Sequence, residues 1–261
     1  MKVAVLGAGP VGLVAAHAVE RFGHSVTVVG IAIPSVIQGA QYIHHEIHEL
    51  TTKKPEGFIT YSKRGTREGY AKKVYGDENA ACSWGLFDGK VPAWDILSYY
   101  RRLYDRFGPN IRDTAIRGPL IHELLEEFDV VFSSITPQGY CYFNSEEEHV
   151  FQWERIRVTP RESKNPHVTV ERNEIIYSGD PEDHWYRTAN IFESLSTEYP
   201  DAKISNISPT PGKLVRKPLM TTCDCFLDHP GFRRIGRYGE FKKELLVTDA
   251  YDRVCEEFDE V

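Results

Sequence analysis

The feature that most narrows what this chain can fold into is its opening. An apolar run over residues 2–6 meets the turn Gly7-Ala8-Gly9-Pro10-Val11-Gly12, and apolar side chains then recur at helical spacing to residue 22. A buried parallel strand, a glycine turn and a helix make the first part of a βαβ unit, and residues 25–29 supply its second strand. Each glycine has its own task in such a turn. Gly7 permits the tight bend, Gly9 lets a pyrophosphate approach the backbone, and Gly12 lets helix and strand pack closely. The amides and the positive dipole end of the helix then face the phosphates. The pattern predicts a dinucleotide site built from Gly7, Ala8, Gly9, Pro10, Val11 and Gly12, with an unliganded strand–helix turn as the alternative.

A carboxylate usually grips the adenosine ribose from the end of the second strand, about 20 residues on. Here Val26-Thr27-Val28-Val29 runs into Gly30, and Glu20 comes too early. The pyrophosphate argument rests on backbone groups and stands; the ribose contact has no candidate. The absence of a nearby arginine gives no support for a 2′-phosphate.

Beyond Gly30 the pattern is looser. Residues 30–89 read as loops and short strands, residues 92–107 as a helix with Pro92 in its first turn, and residues 121–128 as a second helix. The run from Asp129 to Pro137 reads as a buried strand returning to the main sheet, and residues 168–177 as another strand. Residues 185–195 fit a helix after the acidic turn Gly179-Asp180-Pro181-Glu182-Asp183. Residues 232–258 hold a glycine-containing loop and an amphipathic helix. At 261 residues the chain suits one core domain with a modest insertion. The expected class is α/β: a Rossmann-like domain with a parallel sheet from residues 1–60, 110–140 and 215–261, plus a small substrate or cap region from 61–109 and 141–214.

A formal charge of −7 gives no general attraction to nucleic acid or an anionic membrane. The basic residues Lys63, Arg64, Arg67, Lys72 and Lys73 among the aromatics of 61–75 read either as a local nucleic-acid patch or as a solvated loop. Apolar stretches are short and the chain begins with a strand instead of a signal segment, so the expected location is cytoplasmic. Five scattered cysteines argue for reduced thiols. Cys223-Asp224-Cys225, with His229 beyond, lacks a second well-spaced ligand pair, so no metal site is assigned. Glu146, Glu147 and Glu148 read as a solvated turn.

The segment Arg233-Arg234-Ile235-Gly236-Arg237-Tyr238-Gly239-Glu240-Phe241, followed by a helix, resembles the closing FAD segment of UDP-galactopyranose mutases and the wider amine-oxidase-like flavoproteins. Gln38-Gly39-Ala40-Gln41-Tyr42-Ile43-His44-His45 falls where those families carry a loop near the flavin. Together the segments also resemble a group of short, FAD-dependent oxidoreductase-like proteins of bacteriophages and bacteria. The resemblance implies FAD as cofactor, with Gln41, Gly236, Arg237, Tyr238 and Gly239 joining the glycine turn as its neighbours. Arg234 and Arg237 can both bind phosphate, and only Arg237 sits in the matched motif.

Three residues are candidates for chemistry. His44, beside His45, can hold or pass a proton near working pH, or be a plain loop histidine. Trp185-Tyr186-Arg187 joins a stacking surface, a hydroxyl and a fixed charge, suited to an anionic or ring-bearing substrate; the alternative is a helix with its aromatics packed inward. The expected activity is that of an FAD-dependent oxidoreductase acting on a small molecule. A redox-neutral flavin enzyme resembling sugar-nucleotide mutases, or a binding protein on a flavoprotein scaffold, are the alternatives.

Overall fold

The structure, a computed structural model, describes residues 1–35, 37, 41–80, 82, 84, 89–142, 149–159, 168–200 and 212–259. Strand β1 (Lys2–Leu6), helix α1 (Pro10–Arg21) and strand β2 (Ser25–Gly30) form the opening βαβ unit, with β1 and β2 parallel in the register Lys2↔Ser25 to Leu6↔Val29. Three further strands complete a parallel sheet: β5 (Arg112–Asp113), β6 (Val130–Ser133) and β12 (Phe232–Arg234), in the order β12-β6-β1-β2-β5. The β1 side chains alternate between the two faces. Val3 and Val5 pack with α1, helix α3 (Ile96–Phe107) and helix α6 (Val247–Asp259), while Ala4 and Leu6 pack with helix α4 (Gly118–Glu127). Val254 of α6 is fully buried against this layer; one such side chain contributes about 1.5–3 kcal/mol by leaving water.

The second layer is a mixed sheet in the order β11-β7-β10-β9-β8-β3-β4. Its strands are β3 (Gly57–Gly65), β4 (Lys90–Ala93), β7 (Phe151–Val158), β8 (Glu174–Gly179), β9 (Arg187–Ile191), β10 (Ser194–Pro200) and β11 (Lys213–Thr221). Only β3 and β8 run parallel within it; the other neighbours are antiparallel. The chain leaves the first sheet after β6 and returns to it at β12, so the bulk of the second layer is inserted between those two strands. Helix α3, by contrast, lies against α1 in the first layer.

Several elements differ from the sequence expectation. Residues 185–195 are not helical: Arg187–Ile191 and Ser194–Pro200 form a hairpin whose turn sets Phe192 and Glu193 at φ 45° and 68°. Pairing with β8 and β7 on either side overrides a helical pattern that its residues also satisfy. Pro92 lies in β4 opposite Phe58, on the sheet edge, where a missing N–H is tolerated. The α3 helix begins instead at Asp95, whose carboxylate accepts from the Leu97 amide at 3.0 Å and from the Ser98 hydroxyl at 2.6 Å. Residues 57–75 hold β3 and a capped helix, α2 (Arg67–Tyr75), so the basic run sits on regular structure. Lys73 there donates to the carbonyls of Ser178, Asp180 and Trp185 at 3.0, 2.8 and 3.0 Å, a structural use of its charge. Among the described residues no helix is long and apolar enough to cross a membrane. The acidic run Glu146–Glu148 lies outside the described residues.

The tightest contact of the first layer is at Gly12, where an added Cβ would sit 1.8 Å from the Gly7 carbonyl oxygen. Gly12→Ala is therefore expected to push α1 off β1 and destabilise the protein by about 1–3 kcal/mol, read as a lower urea midpoint with an unchanged slope.

Candidate functional site

The glycine turn lies at the carboxyl ends of β1 and β6, where parallel sheets open a crevice. Gly7 has φ +103°, and its amide donates to the Val29 carbonyl at 2.8 Å. A Cβ there would fall 2.6 Å from Ser134 Oγ, so the fold itself demands glycine at 7 as at 12. Gly9 is different. Its backbone is extended at φ −80°, and among the described residues an added Cβ would meet only Ser35 Oγ, at 3.6 Å. No described neighbour requires glycine at 9. Gly9 is also the N-cap of α1, with no side-chain cap and no acidic residue in the first turn. The first turn of this twelve-residue helix thus has neither a side-chain cap nor an acidic residue of its own to offset the dipole.

The carboxyl-terminal glycine segment is packed against the same place. Gly236 has φ +66°, and a Cβ on it would lie 2.7 Å from Val11 Cγ1; one on Gly239 would lie 2.1 Å from the Ser133 carbonyl. The Ile235 amide donates to that carbonyl at 2.9 Å. The short helix α5 (Gly236–Gly239) is thereby fixed between β6 and the start of α1. Tyr238 points away from the turn and donates its hydroxyl to the Arg216 carbonyl at 3.1 Å, tying α5 to β11. Arg237 donates to the Leu245 carbonyl at 3.2 Å, and among the described residues it has no carboxylate partner. Burial, with the charge of Arg187 adding to it, lowers its pKa.

Two layers of charge and aromatic surface continue from Arg237. His44 stacks on Tyr42 with ring centroids 4.0 Å apart. Burial first, then His45 and Arg237, holds its pKa down to about 4, so the ring is neutral at physiological pH. The Tyr42 hydroxyl shares a hydrogen bond with Tyr61 at 2.5 Å, and burial pushes the Tyr42 pKa up to about 12. Beyond them Glu198, 2% exposed, is ion-paired with Arg187 and, at 3.1 Å, with Lys217. Burial alone would raise the carboxyl; the two cations hold it at about 2. Burial lowers Lys217 to about 8 despite Glu198. Lys243 pairs with Glu154 at 2.5 Å beside this group. The Tyr186 hydroxyl is buried with no hydrogen-bond partner among the described residues, and burial raises its pKa well above the phenol range, so it is a proton donor.

No protein-family model matches the sequence, and no curated protein matches it. Solved structures do. Reduced UDP-galactopyranose mutase aligns over 99% of this chain and 94% of its own, with a TM-score of 0.59 and 11% identity. A flavoprotein/dehydrogenase from Cytophaga hutchinsonii aligns over 99% of this chain and 77% of its own, at TM-score 0.51 and 11% identity. CmlS, a flavin-dependent halogenase, aligns over 98% of this chain and 57% of its own, at TM-score 0.50 and 12% identity. The chain has a Rossmann-like flavoprotein fold. At these identities the likeness concerns the fold, and the site must be argued from its own residues.

Of the residues picked from sequence, Gly7, Ala8, Gly9, Pro10, Val11, Gly12, Gly236, Arg237 and Gly239 come together at one crevice, with His44 electrostatically coupled to Arg237. Gln41 is exposed on the segment entering Tyr42, and Gln38, Gly39 and Ala40 lie outside the described residues. The triplet 185–187 does not act as a unit. Trp185 packs with Ile176 and Tyr199, whereas Tyr186 packs with Tyr42 and Tyr177 and Arg187 turns to Glu198. Arg234 points away from the crevice, toward the cysteine loop.

Three supports carried no signal in the sequence. Tyr100 of α3 donates to the Ala8 carbonyl at 3.1 Å and accepts from the Ser35 amide at 2.6 Å, bracing the glycine turn from outside. Asp113 is paired across β5 with Gly30, and its carboxylate accepts from the Ala32 amide at 3.0 Å. Glu198 neutralises Arg187 from a neighbouring strand, and Lys217 reaches the same carboxylate from a third.

The His44 shift has a defined consequence for pH. Its folded pKa lies below the value of about 6.5 for an unfolded histidine, so the group contributes nothing to the pH dependence above that value and favours unfolding as pH falls from 6.5 toward 4. Imidazole NMR titration should place the His44 midpoint near pH 4, and His44→Gln should flatten the loss of stability across that window.

Proposed function

We propose that the protein is an FAD-dependent oxidoreductase acting on a small anionic substrate. The observation that carries this reading is Gly9: a glycine that no described neighbour requires, at the uncapped start of α1, beside the segment that holds Gly236 and Gly239. A pyrophosphate brought to that point would meet backbone amides and the positive end of a helix whose first turn carries no acidic residue.

In this reading Gly7 to Gly12 take the pyrophosphate, Gly236, Arg237 and Gly239 form the adjoining wall, and Gln41 approaches from the segment before His44. Asp113 takes the place of the ribose acid missing at Gly30: it is the neighbouring strand's carboxylate at that level of the sheet, and it is exposed. Tyr238 serves by anchoring the wall. Bound FAD supplies electron transfer at its isoalloxazine, and the chain supplies binding, orientation and local charge.

The substrate class follows from the charges. Arg187, Arg237, Lys217 and Lys243 stand against Glu198, Glu154 and Glu244, an excess of one positive charge beside a partly apolar wall of tyrosines. Arg187, locked by Glu198, is a preorganised positive charge, and the Tyr186 hydroxyl is a protonated donor with no acceptor among the described residues. His44, neutral, can accept or donate one hydrogen bond without adding charge. The likeness to UDP-galactopyranose mutase, which extends over 94% of that chain, favours a second reading in which reduced flavin acts without net redox change.

Purified protein is expected to be yellow and to release FAD on denaturation; a colourless protein that also fails to bind added FAD overturns the proposal and leaves a binding protein on this scaffold. Turnover that consumes no oxidant or reductant would select the redox-neutral reading. Gly9→Asp separates fold from cofactor. It supplies the cap and charge that α1 lacks, so the apoprotein should be as stable or up to about 1 kcal/mol more stable, while FAD binding is lost. Asp113→Asn should weaken FAD binding about tenfold, the loss of one charge-assisted hydrogen bond, with the melting temperature of the apoprotein nearly unchanged.

A further inference from the structure

Four side chains from three separate stretches of chain meet on the side of the first sheet away from α1. Cys141 follows the turn after β6, His149 precedes β7, and Cys223 and Cys225 lie between β11 and β12. Their ligand atoms all fall within 4.8 Å of one another. Cys141 Sγ is 3.0 Å from His149 Nδ1 and 3.7 Å from Cys225 Sγ, and Cys225 Sγ is 3.7 Å from the same Nδ1. A tetrahedral zinc with Zn–S of about 2.3 Å and Zn–N of about 2.0–2.1 Å has edges of about 3.8 Å between sulfurs and about 3.6 Å between sulfur and nitrogen. Two of these three edges, at 3.7 Å, match those dimensions; the Cys141–His149 edge is about 0.6 Å short, and side-chain adjustment of up to about 1 Å brings the four ligand atoms, all within 4.8 Å, onto the tetrahedron.

We infer that Cys141, His149, Cys223 and Cys225 form a structural zinc site. The ligand set is the Cys3His type, and soft thiolates with one imidazole in a tetrahedron select zinc among the common divalent ions. Both ring nitrogens of His149 have a use: Nδ1 faces the sulfurs, and Nε2 lies 3.6 Å from Asp224 Oδ1, a carboxylate placed to orient the ring. Three thiolates, a neutral imidazole and Zn2+ leave one negative charge. Arg234, 8% exposed, stands beside it, donating to Cys223 Sγ at 3.5 Å and to the carbonyls of Cys223 and Cys225 at 2.7 and 3.0 Å. Cys225 also borders a surface cleft of about 420 Å³ lined by His122, Tyr142, Phe226 and His229, which gives an ion a way in. His229 itself accepts from the Gly231 amide at 3.1 Å and lies outside the ligand set.

The second ligand pair that sequence spacing does not reveal is thus Cys141 and His149, and its location defines the role. The four residues join the chain leaving the first sheet after β6 to the chain returning to it at β12, so the ion clips together the two crossings between the layers. Arg234 carries the link onward, since Gly236, two residues later, rests on Val11 of the glycine turn. The site stands apart from the flavin proposal and does not depend on it.

Elemental analysis of protein purified under reducing conditions is expected to find about one zinc per chain, and a strong chelator should remove it with a clear fall in melting temperature. Cobalt added to the stripped protein should give the visible bands of a tetrahedral thiolate complex. Asp224→Asn, which keeps all four ligands, should weaken zinc about 10–100-fold in chelator competition. Cys225→Ser and His149→Ala should lose the cobalt thiolate spectrum or change it. Folded wild-type protein that holds no stoichiometric metal and gives no cobalt thiolate bands would overturn the site, whatever the variants do. So would a Cys141–Cys225 disulfide whose reduction leaves a protein that still takes up no metal, or zinc that can be stripped without any thermal effect.

Discussion

Everything near the crevice depends on the approach of backbone to backbone at the ends of β1 and β6. Gly12 lies against the Gly7 carbonyl, Gly239 against the Ser133 carbonyl, and Gly236 against Val11. None of these contacts tolerates a side chain, because a Cβ at any of them would come within 3 Å of a neighbour, and in two of the three that neighbour is a backbone oxygen. Their joint effect is a crevice whose floor is peptide groups instead of side chains. Such a floor is rigid and offers oriented dipoles without the entropy cost of ordering long polar side chains. Tyr100 adds to the rigidity by holding both Ala8 and Ser35 with one hydroxyl.

The second layer solves a different problem. Its inner face carries Arg187, Glu198 and Lys217 on three strands of an otherwise apolar and tyrosine-rich surface. Burying such charges costs several kcal/mol per ion, and pairing typically does no better than a well-packed hydrophobic replacement. A group of this kind is poor evidence of stabilisation. With one carboxylate between two cations, the arrangement keeps a net positive potential in a region that water reaches poorly, where an anion's charge is felt most strongly.

The first layer was legible because its signals are local. Strand, turn, helix and strand occupy 30 consecutive residues, and the glycine spacing has a mechanical reason that no tertiary contact overrides. The glycines of 236–239 were legible only through resemblance, since nothing in their own spacing says that they meet Val11. Residues 185–195 fit a helix after the acidic turn and instead enter a hairpin, because the pairing that decides the matter comes from β8 and β7, elsewhere in the chain. The charge of Arg187 is legible in the sequence, but its partner Glu198 and the Lys217 that shares that carboxylate are not: each comes from a different strand, and register is not written in either segment alone. Asp113 escaped for the same reason. The ribose acid was sought at the end of β2, and the carboxylate at that level belongs to the strand beside it.

The cysteines show how far such a reading can fall short when a site is assembled across an insertion. Cys223 and Cys225 are one residue apart and suggest half of a site; Cys141 and His149 are separated from them by the inserted strands β7–β11. The two halves are brought together because β6 and β12 are neighbours in the first sheet, with Phe232↔Val131 and Arg234↔Ser133 in register. The topology that makes the second layer an insertion is therefore what closes the cysteine cluster. A clip at that point closes a loop of more than seventy residues, and the longer the loop it closes, the more conformational entropy it removes from the unfolded chain. Arg234 is where this meets the crevice. The same three-residue strand that it ends places Ile235 on Ser133 and Gly236 on Val11, so whatever fixes Arg234 also fixes the wall of the glycine turn.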